Sequence, residues 1–317
     1  MNKKLTLQIL KEDFRTGKIT KESFITQAMN MHRQLFSYLE ITKSTDIHEI
    51  SIRPEGISFL IGNDKIKIFI PPEEQRVAPL EIMNFGKYEQ NETVVIDLLS
   101  SEARCIFDIG ANIGYHSIRF AKLNPRCFIH AFEPMTKSYS YLKQNIISNN
   151  VESQVFAYNI GLSENGGNLD FFIPPTNETN ASMANVSGVR NFKKVVKKTF
   201  ALDFWSLNNN QKPDFIKCDI EGAELLVFRG AMNMLIAHKP LIFSELLRKW
   251  SKAYDYHPND MINFFNKLGY LCYGIGNSKI RLVQNVTEDT VETNYAFLHA
   301  EAHFEVINKL KNLKFKV

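Results

Sequence analysis

Four short apolar runs each end in a carboxylate. Asp108 follows Cys105-Ile106-Phe107, Glu133 follows the run from Cys127 to Phe132, Asp219 follows Phe215-Ile216-Lys217-Cys218, and Glu245 follows Leu241-Ile242-Phe243-Ser244. Ligands of open α/β sheets bind outside the carboxyl ends of the strands. If the runs are strands of one sheet, the four acids project toward one rim, where they can take a proton from a hydroxyl, hold ribose or sugar hydroxyls, or bind a hard cation. For any single acid the alternative is a helix N-cap or dipole partner, and for Glu221 and Glu224, just after Asp219, that reading is preferred.

The first acid opens Asp108-Ile109-Gly110-Ala111-Asn112-Ile113-Gly114. Its glycines let backbone approach a ligand closely and lead into a helix whose first N–H groups face whatever binds there. A dinucleotide fingerprint would have glycine where Asn112 stands, which argues against a pyrophosphate. A smaller adenosine ligand with a zwitterionic amino-acid end fits better: Asp108 offers an acceptor to an ammonium group, and main-chain amides offer donors to a carboxylate. Glu133, about 25 residues on, stands where an acid reaches ribose hydroxyls; the alternative is a solvated turn acid before Pro134. His116 and His257 are each a candidate general base, against bland readings as a loop-packing residue and an N-terminal helix residue. Trp250, Tyr254 and Tyr256 form a sugar-stacking rim or simply cover the sheet.

The elements that position these residues follow from periodicity. From Arg104 onward, buried-strand runs alternate with helical patterns: a helix from Gly114 to about Leu123, one from Thr136 to Ser148, a strand over Val155 to Tyr158, and one helix carrying Val227, Ala231, Met234 and Leu235 on a single face. After Pro258 come a helix with Met261, Ile262, Phe265 and Leu268 on its apolar face, then three short strands ending near Leu298. Between Gly161 and Leu202, glycines, prolines, Asn and Ser and the basic run Lys193, Lys194, Lys197 and Lys198 indicate an insertion or lid, the lysines being a solvated face or a draw for an anionic carrier. Upstream, Phe24, Ala28, Met31 and Leu35 share a helical face, and Ile57–Ile61 and Ile66–Ile70 flank Gly62-Asn63-Asp64 as a hairpin. The expected division is a helical arm over 1–45, a hairpin and connecting segment over 46–100, and the main domain over 101–317.

Bulk composition excludes some classes. With 44% hydrophobic residues in 317, a full core is available. A net charge of +4 with mixed signs lacks the basic stripe of a nucleic-acid binder. Lys11, Glu12 and Asp13 interrupt any apolar signal core, and no apolar stretch reaches membrane-spanning length, so a cytoplasmic protein is expected. Cys105, Cys127, Cys218 and Cys272 lack paired spacing and read as reduced, buried thiols.

The motifs Phe107-Asp108-Ile109-Gly110-Ala111-Asn112-Ile113-Gly114, Ala131-Phe132-Glu133-Pro134 and Ile216-Lys217-Cys218-Asp219-Ile220-Glu221-Gly222-Ala223-Glu224, with Arg229-Gly230-Ala231, together resemble the FkbM-type methyltransferases. Tyr88-Glu89, Asn159 with Gly161-Leu162-Ser163, Leu202-Asp203 and Asn294-Tyr295 agree more weakly, and the resemblance covers about residues 85 to 300. It implies an α/β, Rossmann-like class I methyltransferase fold with a mostly parallel, helix-flanked sheet. The N-terminal helical arm has no counterpart in the family pattern; with the β-hairpin it is read as an appendage that helps shape the acceptor site or a homodimer contact. The resemblance also implies O-methylation of a hydroxyl on a sugar, glycan or secondary metabolite, with S-adenosyl-L-methionine as cofactor. The cofactor-binding set is then Tyr88, Glu89, Asp108, Gly110, Asn112, Gly114, Glu133, Asn159 and Asp219. Asp219 is the candidate base, with Glu245 and His257 as further catalytic candidates. Asp219 and Glu245 also suit a divalent metal, Mg or Mn, and equally suit direct binding of sugar hydroxyls. The rivals are a nicotinamide-dependent oxidoreductase, disfavoured by Asn112 and by the lack of a Tyr-x-x-x-Lys-like pair, and a catalytically silent glycan-binding module, disfavoured by intact Asp219 and Glu221.

Overall fold

The structure is a computed structural model that describes residues 6–174, 181–184, 192–313 and 315. Helices α1 (Thr6–Arg15) and α2 (Lys21–Ser44) meet where Phe14 stacks on Phe24 at 5.2 Å. Thr20 caps α2 by accepting from Ser23 N. Of the apolar face expected on α2, only Ala28 is buried, and Leu35 is 56% exposed.

Strands β1 (Ile47–Arg53), β2 (Gly56–Ile61) and β3 (Ile66–Phe69) form an antiparallel sheet in that order, one strand more than the expected hairpin. Polar His48, Glu49 and Arg53 on this exposed edge mask β1 as a strand. Then follow α3 (Ala78–Phe85), α4 (Gln90–Ser100), β4 (Cys105–Ile109), α5 (Tyr115–Leu123), β5 (Phe128–Phe132), α6 (Thr136–Ser148) and β6 (Val155–Tyr158). Helix α6 satisfies the free edge of β3 with side chains: Asn145 accepts from Phe69 N at 2.7 Å and donates to Phe69 O at 3.1 Å, and Asn149 does the same for Lys67. One apolar cluster runs from Ile47 and Ile66 through Ile118 and Leu142, so the appendage sheet packs on the main core.

The region expected to be an insertion forms a second small sheet, with β7 (Gly161–Leu162), β8 (Gly167–Ile173) and β9 (Lys193–Phe200) in the order β7-β9-β8. Asn177, Asn180 and Asn185 in its polar stretch lie outside the described residues. On β9, Lys194 Nζ is 2.7 Å from Asp170, and Lys198 sits over the Phe200 ring at 4.7 Å.

The chain continues through α7 (Leu202–Asn209), β10 (Phe215–Cys218), α8 (Glu224–Arg229), α9 (Met232–His238), β11 (Leu241–Glu245), α10 (Arg248–Ser251), α11 (Pro258–Lys267), β12 (Tyr270–Ile275), β13 (Ile280–Leu282), β14 (Asn294–His299) and α12 (Phe304–Lys311). The single helix expected around Val227 and Met234 is thus two. Asp203 causes the break: its backbone N donates to Gly230 O at 2.8 Å, while its carboxylate accepts from Asn233 N and Met234 N at 2.9 and 2.8 Å. It caps α9 from outside and ends α8 at a glycine; a Cβ there would stand 2.6 Å from Ser163 O.

The large sheet has the order β13-β12-β14-β11-β10-β4-β5-β6. The neighbours β6, β5, β4, β10 and β11 run parallel, and β14 runs antiparallel to both β11 and β12. This is the expected Rossmann-like arrangement. The strand order reverses between β4 and β10, which places the ligand crevice at their carboxyl ends. The four cysteines are free, three of them buried. Among the described residues no helix is long and apolar enough to cross a membrane.

Candidate active site

Register brings the site together. Ile109 pairs with Phe132 and with Cys218, and Cys218 pairs with Ser244. The residues one step beyond these pairs, Glu133, Gly110, Asp219 and Glu245, therefore form one row along the sheet's carboxyl edge. All four line a cavity of about 460 Å³, which Tyr88, Glu89, Asn112, His116, Lys217 and Trp250 help to wall.

Gly110 has φ +80, and a Cβ at this position would come 1.9 Å from Asp219 O. The loop after β4 thus lies against the backbone of the loop after β10, an approach only glycine permits. Gly110→Ala combines a left-handed backbone with a main-chain clash. It is expected to cost at least ~2 kcal/mol of stability and to abolish S-adenosylhomocysteine binding, measured by thermal melting and calorimetry.

Glu133 is 6% exposed. Its Oε2 accepts from Asn112 N at 2.9 Å and its Oε1 from Met135 N at 2.7 Å. Burial pushes its carboxyl up to about 7 against the opposing pull of these two N–H groups. Each oxygen keeps a second lone-pair site, so an ionised Glu133 can still receive a diol. Asn159 does not line the cavity; its amide donates to Glu133 O at 2.9 Å and Pro134 O at 3.0 Å, fixing the turn that carries the acid.

Two more of the expected cofactor residues also lie off the cavity wall. Asp108 is fully buried and absent from the cavity wall, with Oδ2 accepting from Ser117 Oγ at 2.5 Å and Oδ1 3.9 Å from Lys217 Nζ. Its pairing with Lys217 across the strands sets it two residues short of the rim row, beneath the loop. Gly114 is the α5 N-cap at φ +95, where a Cβ would stand 2.6 Å from Leu142 Cδ1; it serves packing. His257 is likewise corrected. It is exposed, lies off the cavity wall, and caps α11: Nδ1 accepts from Asn259 N while its backbone N donates to Asp260.

Around Asp219 and Glu245 the charges are uneven. Burial, then Asp219 and Glu221, push the Glu245 carboxyl well above the ordinary range. Glu221, at φ +60 on the cavity wall, is pushed up to about 8 by burial and by Asp219. Glu224 plays the structural role expected of it, accepting from Ile220 N at 3.0 Å and Gly222 N at 3.1 Å. The cation beside Asp219 is Lys217, 3% exposed and 3.4 Å from Asp219 Oδ2; Arg76 and Lys87 also line the cavity. Desolvation works against the charge of Lys217, but Asp219, Asp108 and Glu89 outweigh that and hold the ammonium form. Its sequence signal was a lysine inside an apolar strand.

Of the three aromatics, Trp250 lines the cavity. Tyr254 instead hydrogen-bonds Ser182 and accepts from Ala184 N, and the Tyr256 hydroxyl donates to Gly222 O at 2.8 Å. Phe171, Ala181 and Met183 of the small-sheet region also reach the wall, a contribution periodicity did not reveal. Among the described residues no three His, Cys, Asp or Glu side chains are grouped to hold a metal ion, so nothing beyond the pair Asp219 and Glu245 supports a divalent metal.

Residues 108–272 match the family described as "Methyltransferase FkbM domain". The chain is similar to the hexuronic acid methyltransferase AglP of Haloferax volcanii, 29% identical over 46% of this chain and 59% of that protein. It is also similar to the 2-O-methyltransferase NoeI of Sinorhizobium fredii, 26% identical over 44% of this chain and 63% of that protein. The chain thus matches less than two thirds of the length of either relative. Among solved structures, methyltransferase FkbM of Methylobacillus flagellatus aligns over 61% of this chain and 43% of that chain, with 18% identity and a TM-score of 0.40.

Proposed function

Because the chain belongs to the FkbM methyltransferase family, we propose that it methylates a hydroxyl of a sugar, glycan or small molecule, with Asp219 as the base. The observation that carries this reading is the single row of Glu133, Gly110, Asp219 and Glu245 on one cavity.

S-adenosylmethionine fits the residues present: Glu133 offers free lone pairs to a ribose diol, and the Gly110 loop exposes backbone. When bound, it supplies an electrophilic methyl group on sulfur. The chain's own part is to align the acceptor oxygen and remove its proton. Glu245, whose carboxyl is pushed up by burial, would offer a hydrogen bond to an acceptor oxygen. Asp219, with Lys217 as counter-charge, would take the hydroxyl proton onto a carboxylate oxygen. Trp250 on the wall suits the apolar face of a sugar ring. The names of the two relatives, a hexuronic acid methyltransferase and a 2-O-methyltransferase, support a sugar acceptor.

Calorimetric titration with S-adenosylhomocysteine and with NAD, followed by labelled-methyl transfer to an extract of the organism's own glycans, tests the proposal. The expected result is binding of the first ligand only, and a 14-dalton increment on one glycan. Tight NAD binding alone overturns it in favour of an oxidoreductase; cofactor binding with no transfer by wild type or Asp219→Ala points to a silent module.

A further inference from the structure

We propose that Glu221 binds a second hydroxyl of the acceptor, beside the one that Asp219 deprotonates, so that the substrate class is a vicinal diol and not a lone alcohol or phenol; this rests on the methyltransferase reading above. Glu221 lines the cavity, yet its Oε2 is buried without a hydrogen-bond partner. A buried oxygen left in this way costs free energy, and native proteins retain few such atoms without something to satisfy them.

The residue is held there against its own backbone preference. At φ +60 it adopts the left-handed conformation, which is costly for an L side chain. Its loop is tied on several sides. Glu224 accepts from Ile220 N and Gly222 N, Ser182 Oγ donates to Glu221 O at 3.0 Å, and the Tyr256 hydroxyl donates to Gly222 O. Gly222 has φ +102, and a Cβ there would come 2.8 Å from Trp250 Cβ. Because the loop N–H groups go to Glu224, Glu221 is not needed as the cap that its position suggested. Strain kept under such ties clusters at sites where a side chain must be aimed.

The chemistry of the missing partner follows from the surroundings. Asp219 disfavours the charge of both Glu221 and Glu245, and Glu221 disfavours that of Glu245, so the three carboxyls share one end of the cavity. Arg76 and Lys249 lie near enough to favour the charge of Glu221, but neither bonds Oε2. A hydroxyl suits this atom in either protonation state, because it donates to a carboxylate and accepts from a carboxylic acid. An ammonium only donates, and a carbonyl only accepts. Asp219 on the methylated hydroxyl and Glu221 on its neighbour then hold the two as a diol, from one loop and within one cavity.

Kinetics and product analysis test this contact, with the organism's glycan extract as acceptor, labelled S-adenosylmethionine as donor, and calorimetry with S-adenosylhomocysteine beside them. Glu221→Gly is the variant of choice, because glycine adopts this backbone without strain and the fold is expected to survive. It is expected to raise the KM for the extract by about 10- to 100-fold and to leave S-adenosylhomocysteine affinity within about twofold. Glu221→Gln, which can also donate and accept, is expected to recover part of the loss and guards against a loosened loop in the glycine variant. In the wild-type product, linkage analysis is expected to find the labelled methyl on a carbon whose neighbour carries a free hydroxyl. An unchanged KM in Glu221→Gly, an equal loss of cofactor affinity, or a label with no free hydroxyl beside it overturns the proposal and leaves the methyltransferase reading standing. If wild type binds no S-adenosylhomocysteine, or transfers methyl to no glycan fraction, that reading falls, and this proposal with it.

Discussion

Replacing Asp219 with Asn is expected to lower methyl transfer by about 10²- to 10⁴-fold while leaving S-adenosylhomocysteine affinity within about threefold. Of the two rim acids on adjacent strands, Glu245 is pushed up because burial and the neighbouring carboxylates disfavour its charge. Asp219 is the rim acid with a cation beside it, and so the better placed of the two to take the hydroxyl proton. Lys217, 3.4 Å away, supplies the counter-charge that makes a carboxylate tolerable in this wall. Asn is preferred to Ala as the test because it preserves volume and still presents an oxygen to Lys217, which also has Asp108 3.9 Å away. The measurement is the initial rate of labelled-methyl incorporation into whichever glycan fraction the wild type modifies, beside calorimetry on the same preparation. A variant that keeps its rate removes Asp219 as base; one that loses rate and affinity together makes it a cofactor ligand.

The second large effect concerns Glu133. Glu133→Ala is expected to weaken S-adenosylhomocysteine by at least about 100-fold, because it removes a paired acceptor for the ribose and strands the N–H groups of Asn112 and Met135 that the carboxylate now satisfies. The interaction also has a pH signature. The carboxyl of the free protein is raised to about 7 by burial, and only its ionised form offers acceptors to both hydroxyls. Affinity should therefore rise with pH, approaching tenfold per unit well below 7 and levelling above about 8, with a proton released on binding at pH 6. Titrations from pH 6 to 8.5, in buffers of different ionisation enthalpy, read both quantities. Glu133→Gln, which cannot titrate, should abolish the slope; a slope that survives in Gln assigns the proton to another group.

Much of the frame was legible before any coordinates. The apolar runs ending in Asp108, Glu133, Asp219 and Glu245 became β4, β5, β10 and β11, and three of the four acids reached the cavity. These features depend on local periodicity, which a chain displays wherever a strand is buried on both faces. Other features are masked locally. β1 was missed because an exposed edge tolerates His48, Glu49 and Arg53, and the α8–α9 break because its cause, Asp203, lies about 30 residues away from the helix it caps.

The sequence by itself determined the strands β4, β5, β6, β10 and β11, the glycine loop and the family, all properties of residues close along the chain. Only the tertiary structure decided which side chains meet the ligand. Register between strands more than 100 residues apart pairs Asp108 with Lys217 and withdraws it from the rim, while Gly110 comes against Asp219. Burial shifted the carboxyls, pushing up Glu245 and raising Glu133 toward neutrality. It also left Glu221 Oε2 without a hydrogen-bond partner in the wall. Desolvation and cross-strand alignment act through neighbours in space, and a linear pattern of residue types carries neither.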